Sequence, residues 1–88
     1  MPEVWMSPRM QRIAGVEQAR VEGATIRQVV NNLERQYPGI KAELCDDDDL
    51  DPAIAVVVDG ETSNLGMLER VNEDSEIHFI PAMSGGAI

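Results

Sequence analysis

The chain carries one cysteine, one histidine, few basic side chains and no long apolar run, and each scarcity removes a class of function. With Cys45 alone, no intramolecular disulfide, Cys-x-x-Cys redox pair or cysteine-based zinc site can form. Such usage suits a reducing compartment. Seven Lys and Arg stand against 16 Asp and Glu, a formal net charge of -9. Nucleic-acid binding gains most of its affinity when Lys and Arg replace the counterions of phosphates, so DNA, RNA and anionic membranes are poor partners. The acidity instead raises encounter rates with a basic protein surface. No window approaches the roughly 18 apolar residues of a membrane span. The N-terminal Met1-Pro2-Glu3-Val4-Trp5 lacks the basic-then-apolar order of an export signal, and a cytoplasmic protein is expected.

What is present is enough for one small domain. The 88 residues are 43% hydrophobic and 26% charged, the balance of an ordinary folded protein. A domain of this size buries little more than half of the surface its unfolded chain exposes, so the core is thin.

Val4-Trp5-Met6 reads as a first strand, cut off by Ser7-Pro8 because proline suits a strand's end and not its middle. Residues 17–22, "EQARVE", alternate with Ala19 and Val21 on one face and predict a second strand. Thr25-Ile26-Arg27-Gln28 is a capping box, and Ile26, Val29, Val30, Leu33 and Tyr37 follow at helical spacing until Pro38-Gly39; a helix is predicted over 26–36. "AIAVVVDGET" predicts a third strand ending in an Asp59-Gly60 hairpin turn. Leu65 to Val71 has room for one short strand, and Glu76 to Ile80 is the last. The layout is α+β, a small mixed sheet of four to five strands with one main helix across it. The expected core is Val4, Met6, Val21, Ile26, Val29, Val30, Leu33, Ile54, Val56, Val58, Leu68, Ile77 and Phe79.

Chemistry on side chains is hard to find. Asp46-Asp47-Asp48-Asp49-Leu50-Asp51 has the carboxylates calcium wants, but counted as an EF-hand loop it lacks glycine at the sixth position and glutamate at the twelfth. It reads as a solvated acidic connection. His78 has no nucleophile or second acid–base group nominated beside it, and on a strand it faces away from Ile77 and Phe79. Cys45 has no basic neighbour or helix N-terminus to activate it and reads as a packing residue. Met10, Met67-Leu68 and Met83 suit either core filling or an adaptable contact surface, with Met83 placed past the last strand where little core remains.

The terminus is the exception. After "IHFI" the chain runs Pro81-Ala82-Met83-Ser84-Gly85-Gly86-Ala87-Ile88. Glycine lacks a Cβ, so an extended Gly-Gly segment threads a channel too narrow for side chains and leaves the carbonyl carbon open to attack. Pro81 to Gly86 spans at most about 20 Å at roughly 3.3–3.6 Å per residue, enough to carry its end into another protein's active site. A frayed terminus or a cloning remnant is the plain alternative.

"VEGATIRQVVNNLERQYPGI" at 21–40, "AIAVVVDGE" at 53–61 and "EDSEIHFIPAMSGG" at 73–86 together resemble the MoaD/ThiS family of sulfur carriers. The resemblance implies a ubiquitin-like β-grasp domain over residues 1–80, with a flexible tail over 81–88. It also implies that the chain is no enzyme and binds no cofactor. A ubiquitin-activating-type adenylyltransferase would use ATP to adenylate the Gly86 carboxylate, sulfur would be installed as a thiocarboxylate, and a synthase would accept it for an amino acid, secondary metabolite or cofactor. Residues 81–86 would enter the activating enzyme's channel, and Ile80, Met83 and Glu76 would meet the partner. Family members ready for activation end at the second glycine, whereas here Ala87-Ile88 follows; a zinc-dependent JAMM-type peptidase removing it is the implied partner. A protein modifier conjugated through Gly86, a molybdopterin synthase small subunit and a pure interaction module are the alternatives.

Overall fold

The computed structural model describes residues 1–82. Strand β1 (Glu3–Trp5) lies beside β2 (Gln18–Arg20), antiparallel with Val4 opposite Ala19. On its other edge β1 runs parallel to β7 (Glu76–Pro81), Val4 opposite Ile77. Strand β5 (Ile54–Val58) pairs antiparallel with β7, Val56 opposite Phe79, and with the short β6 (Glu61–Thr62). The sheet order β2-β1-β7-β5-β6, with one long helix packed on one face, is the β-grasp fold.

That helix, α2 (Ile26–Gln36), matches its expected bounds. Thr25 Oγ1 accepts from the Gln28 amide at 3.3 Å, while Gln28 Oε1 reaches one residue past the cap and accepts from the Ala24 amide at 2.8 Å. Ile26, Val29, Val30 and Leu33 form one stripe, each 0% exposed, against the inner sheet face of Val4, Val56, Ile77 and Phe79. Gly23 permits the entry: a Cβ there would stand 2.9 Å from the Val29 backbone nitrogen.

Two helices were not expected. Ser7-Pro8, read as the end of a strand, also opens α1 (Pro8–Ala14), because a proline in the first turn has no amide to leave unpaired. Ser7 Oγ accepts from the Met10 amide, and Met10 is fully buried, so it fills core and is not a contact surface. After Pro38-Gly39 the chain makes α3 (Ile40–Leu44), which buries Ile40 and Leu44 one turn apart. Glu34 closes the corner, its carboxylate accepting from the Gly39 and Lys41 amides. Those two bonds stabilise the charged form and hold the Glu34 carboxyl below its ordinary range.

The acidic run is not a plain connection either. Cys45–Asp46 (β3) and Asp49–Leu50 (β4) pair as a hairpin, with Asp47 in the left-handed region at φ 62°. The Asp59-Gly60 turn forms as expected with both φ values positive, and the Asp59 carboxylate accepts from Ser75 Oγ and the Glu76 amide, pinning the start of β7.

Leu65 to Val71 holds no strand beyond an isolated bridge of Arg70 to Thr25. A 3₁₀ turn over Gly66–Leu68 occupies it. Its tight pitch points successive side chains in different directions. Met67 turns inward at 4% exposure and Leu68 outward at 69%, which corrects the expectation that Leu68 joins the core. Ile54 and Val58 are half-buried against the core, and the remaining expected members are buried in it.

Leu33→Ala should cost about 2–5 kcal/mol through lost burial and a residual cavity, whereas Leu68→Ser should stay within about 0.5 kcal/mol; urea unfolding measures both. For Glu34, a lowered folded pKa means its contribution is complete at pH 7 and is lost as pH falls through the ordinary carboxylate range to the depressed value. Glu34→Gln should therefore narrow the difference in Tm between pH 7 and pH 3, and an unchanged difference would remove Glu34 from the account.

Candidate functional site

Strand β7 carries the chain out of the domain. Its pairing with β5 continues to Pro81 opposite Ile54, and the Ala82 amide adds one more bond, donating to the Ala53 carbonyl at 2.8 Å. The backbone is therefore held to the sheet through Ala82. Proline at the strand's last residue removes one amide donor near the end of the ladder and leaves its middle intact. Of the tail residues nominated from sequence, Pro81 is exposed and Ala82 half-buried. Met83, Ser84, Gly85, Gly86, Ala87 and Ile88 lie outside the described residues.

Alternation along β7 sends Ile77 and Phe79 into the core and leaves Glu76, His78 and Ile80 on the outer face. The sequence-nominated pair Glu76 and Ile80 thus shares one face, with Ile80 42% exposed and Glu76 exposed. Between them, His78 stacks on Trp5 of β1, ring centroids 5.6 Å apart and planes 8° from parallel. Val57 stands opposite His78 and Ala55 opposite Ile80, so the strip continues into β5. Trp5 was missed as a surface residue, although its place between core residues Val4 and Met6 on a strand already sets it outward. Beside the root of the tail lies a groove of about 450 Å³, lined in part by Met10, Leu44, Ile54, Phe79, Ile80 and Pro81.

The side chains offer little catalysis. Cys45 is half-buried, and desolvation, the largest influence on it, raises its thiol pKa despite the nearby Lys41 and Arg27 charges. A thiol held protonated is a poor nucleophile. Among the described residues no group of three or more His, Cys, Asp or Glu could hold a metal ion. None of their helices is long and apolar enough to cross a membrane. Strand β7 ends at the rim of the apolar strip, beside that groove.

A ubiquitin-like β-grasp domain with its last central strand leading directly into the C-terminal segment defines the class. More narrowly, the ThiS family model matches residues 9–86, and the chain belongs to the ThiS family. A chain of the crystal structure of the Amycolatopsis orientalis BexX/CysO complex is 25% identical, with a TM-score of 0.88 over 98% of this chain and 100% of that one. SAMP1 from Haloferax volcanii is 27% identical, with a TM-score of 0.77 over 97% of this chain and 98% of that one. Mycobacterium tuberculosis CysO, at 20% identity, shares the fold with a TM-score of 0.84 over 93% of this chain and 99% of that one. No curated protein matches the sequence.

The Cys45 thiol should react with an alkylating reagent at pH 8 more slowly than the same thiol in the urea-unfolded chain, because burial holds it protonated. Equal rates in the two states would make Cys45 an available nucleophile.

Proposed function

We propose that the chain is a sulfur carrier whose working group is the backbone carboxylate of Gly86, freed when Ala87-Ile88 is removed. The observation that carries this reading is membership of the ThiS family, over a matched span that closes on Gly86 and leaves Ala87-Ile88 beyond it. The likeness to a chain of the BexX/CysO complex supports it. So does the dearth of reactive side chains, since such a carrier needs only a domain to be recognised and a carbon to be worked on.

The chemistry follows from the electrophile. A carboxylate is unreactive toward sulfur nucleophiles at neutral pH, so one of its oxygens must first become a leaving group. Attack of the Gly86 carboxylate on the α-phosphorus of ATP, in a ubiquitin-activating-type enzyme, forms an acyl-adenylate and releases pyrophosphate. A sulfide donor then adds to the carbonyl carbon and expels AMP, leaving a thiocarboxylate for a sulfur-accepting synthase. While Ala87 is attached, the same carbonyl is an amide and accepts no adenylate, so a JAMM-type metallopeptidase acts first. Residues 81–86 are the segment that enters the enzyme; Pro81 and Ala82, which are bonded to the β5 side of the sheet, come away from it on docking. The outer strip of Glu76, His78 and Ile80 meets the activating enzyme, as does Met83, with acidic side chains such as Glu76 steering a basic surface. A cytoplasmic setting fits these partners.

A second reading is a protein modifier joined to amines through Gly86, favoured by the 27% identity to a small archaeal modifier protein, SAMP1. Incubation with the peptidase, then with activating enzyme, ATP and a sulfide source, distinguishes the two. The carrier reading expects loss of two residues followed by a mass gain of one sulfur-for-oxygen exchange. A ladder of conjugates that disappears in Gly86→Ala, with no thiocarboxylate formed, would instead establish the modifier.

Ile80→Asp should lower kcat/KM for adenylation by at least about tenfold, through loss of an apolar contact worth roughly 1.5 kcal/mol or more, with urea stability little changed. Wild-type kinetics in that variant would move the docking face elsewhere.

A further inference from the structure

The 3₁₀ turn presents Leu65 at 58% and Leu68 at 69% exposure, the most exposed leucines of the described chain. The fold does not need them, since Met67 between them supplies the inward contact. They are held in place nonetheless: Ser63 Oγ accepts from the Leu65 amide, the Leu68 amide donates to the Leu65 carbonyl, and the Ser63 hydroxyl donates to the Glu69 carboxylate. Two large apolar side chains on an ordered turn make a fixed surface.

Its surroundings are acidic. Glu61 and Glu69 line a depression of about 360 Å³ together with Val58 and Leu65. On the other side the acidic hairpin packs against the turn, a Cβ placed at Gly66 lying 3.8 Å from Leu50 Cδ1. Its Asp48 and Asp49 are exposed. Nearby, Arg27 is engaged by the Asp48 carbonyl and, at 4.0 Å, the Asp49 carboxylate, and Arg70 directly follows Glu69. The local balance stays negative, so the complement is a basic segment bearing aliphatic side chains.

The position separates this patch from the tail. Glu61 stands opposite Val58, and Val58 opposite Ile77, near the start of β7; the tail leaves from the far end, where Pro81 meets Ile54. We propose that the Leu65–Leu68 turn is a second docking site, for a basic, leucine-bearing segment of a protein partner, distinct from the end of the sheet at which β7 stops. This does not depend on what the tail carries.

The probe is a short synthetic peptide of alternating leucine and lysine pairs, titrated into the full-length 15N-labelled chain, with a leucine–glutamate peptide as control. Saturable amide shifts centred on Glu61, Leu65, Leu68 and Glu69 are expected with the basic peptide and not with the acidic one. The double variant Leu65→Ser/Leu68→Ser should keep the wild-type spectrum elsewhere and weaken binding at least about tenfold. Glu61→Lys should also weaken it, and Gly86→Ala should leave it unchanged. Shifts spread over all acidic loops without saturation, shifts centred on Trp5 and Ile80, or full affinity in the double leucine variant would each overturn the proposal.

Discussion

The parallel contact between β1 and β7 holds the rest of the molecule together. Val4 and Ile77 lie opposite each other at the centre of the sheet, both fully buried, although nearly the whole chain separates them in sequence. A parallel pair needs a long crossover. Here α1, β2, α2, α3 and both hairpins supply it, and α2 covers the face on which the two strands meet. Because β7 is central, flanked by β1 and β5, its direction is fixed from both sides. The place where the chain leaves the domain is fixed with it.

Placing a terminal segment at the end of a central strand has a physical consequence. The course of the chain as far as Ala82 is set by a strand bonded along both edges. Hydrogen bonding of Ala82 to Ala53 carries the order of the sheet to the threshold of the tail. On the outer face, Trp5, His78 and Ile80 offer an apolar strip with carboxylates nearby, while the inner face is spent on α2. One face makes the domain and the other is free for partners.

Elements dictated by local chemistry were legible in the sequence. The capping box and apolar stripe gave α2 its bounds, Asp59-Gly60 gave the β5–β6 turn, and alternation gave the faces of β7, including His78 outward. Elements that depend on distant contacts were not. Ser7-Pro8 ends one strand and begins a helix with the same two residues, and only Met10 reaching the core decides the second role. In α3, five residues are too few to show a period, and Glu34 caps it from the preceding helix. Met67 and Leu68 are both apolar neighbours, and a 3₁₀ turn, not composition, chooses which is buried. The proposed working carbon rests on the glycine pair and on resemblance, since backbone chemistry leaves no side-chain signature.

The central claim is that this chain works through the carbon of one backbone carboxylate. Intact-mass analysis of the protein recovered from its native cells under sulfur demand tests it most directly. The account predicts a species that ends at Gly86 and bears sulfur in place of one oxygen. Recovery of only the unmodified chain, with Ala87-Ile88 still attached while its pathway is running, would contradict it.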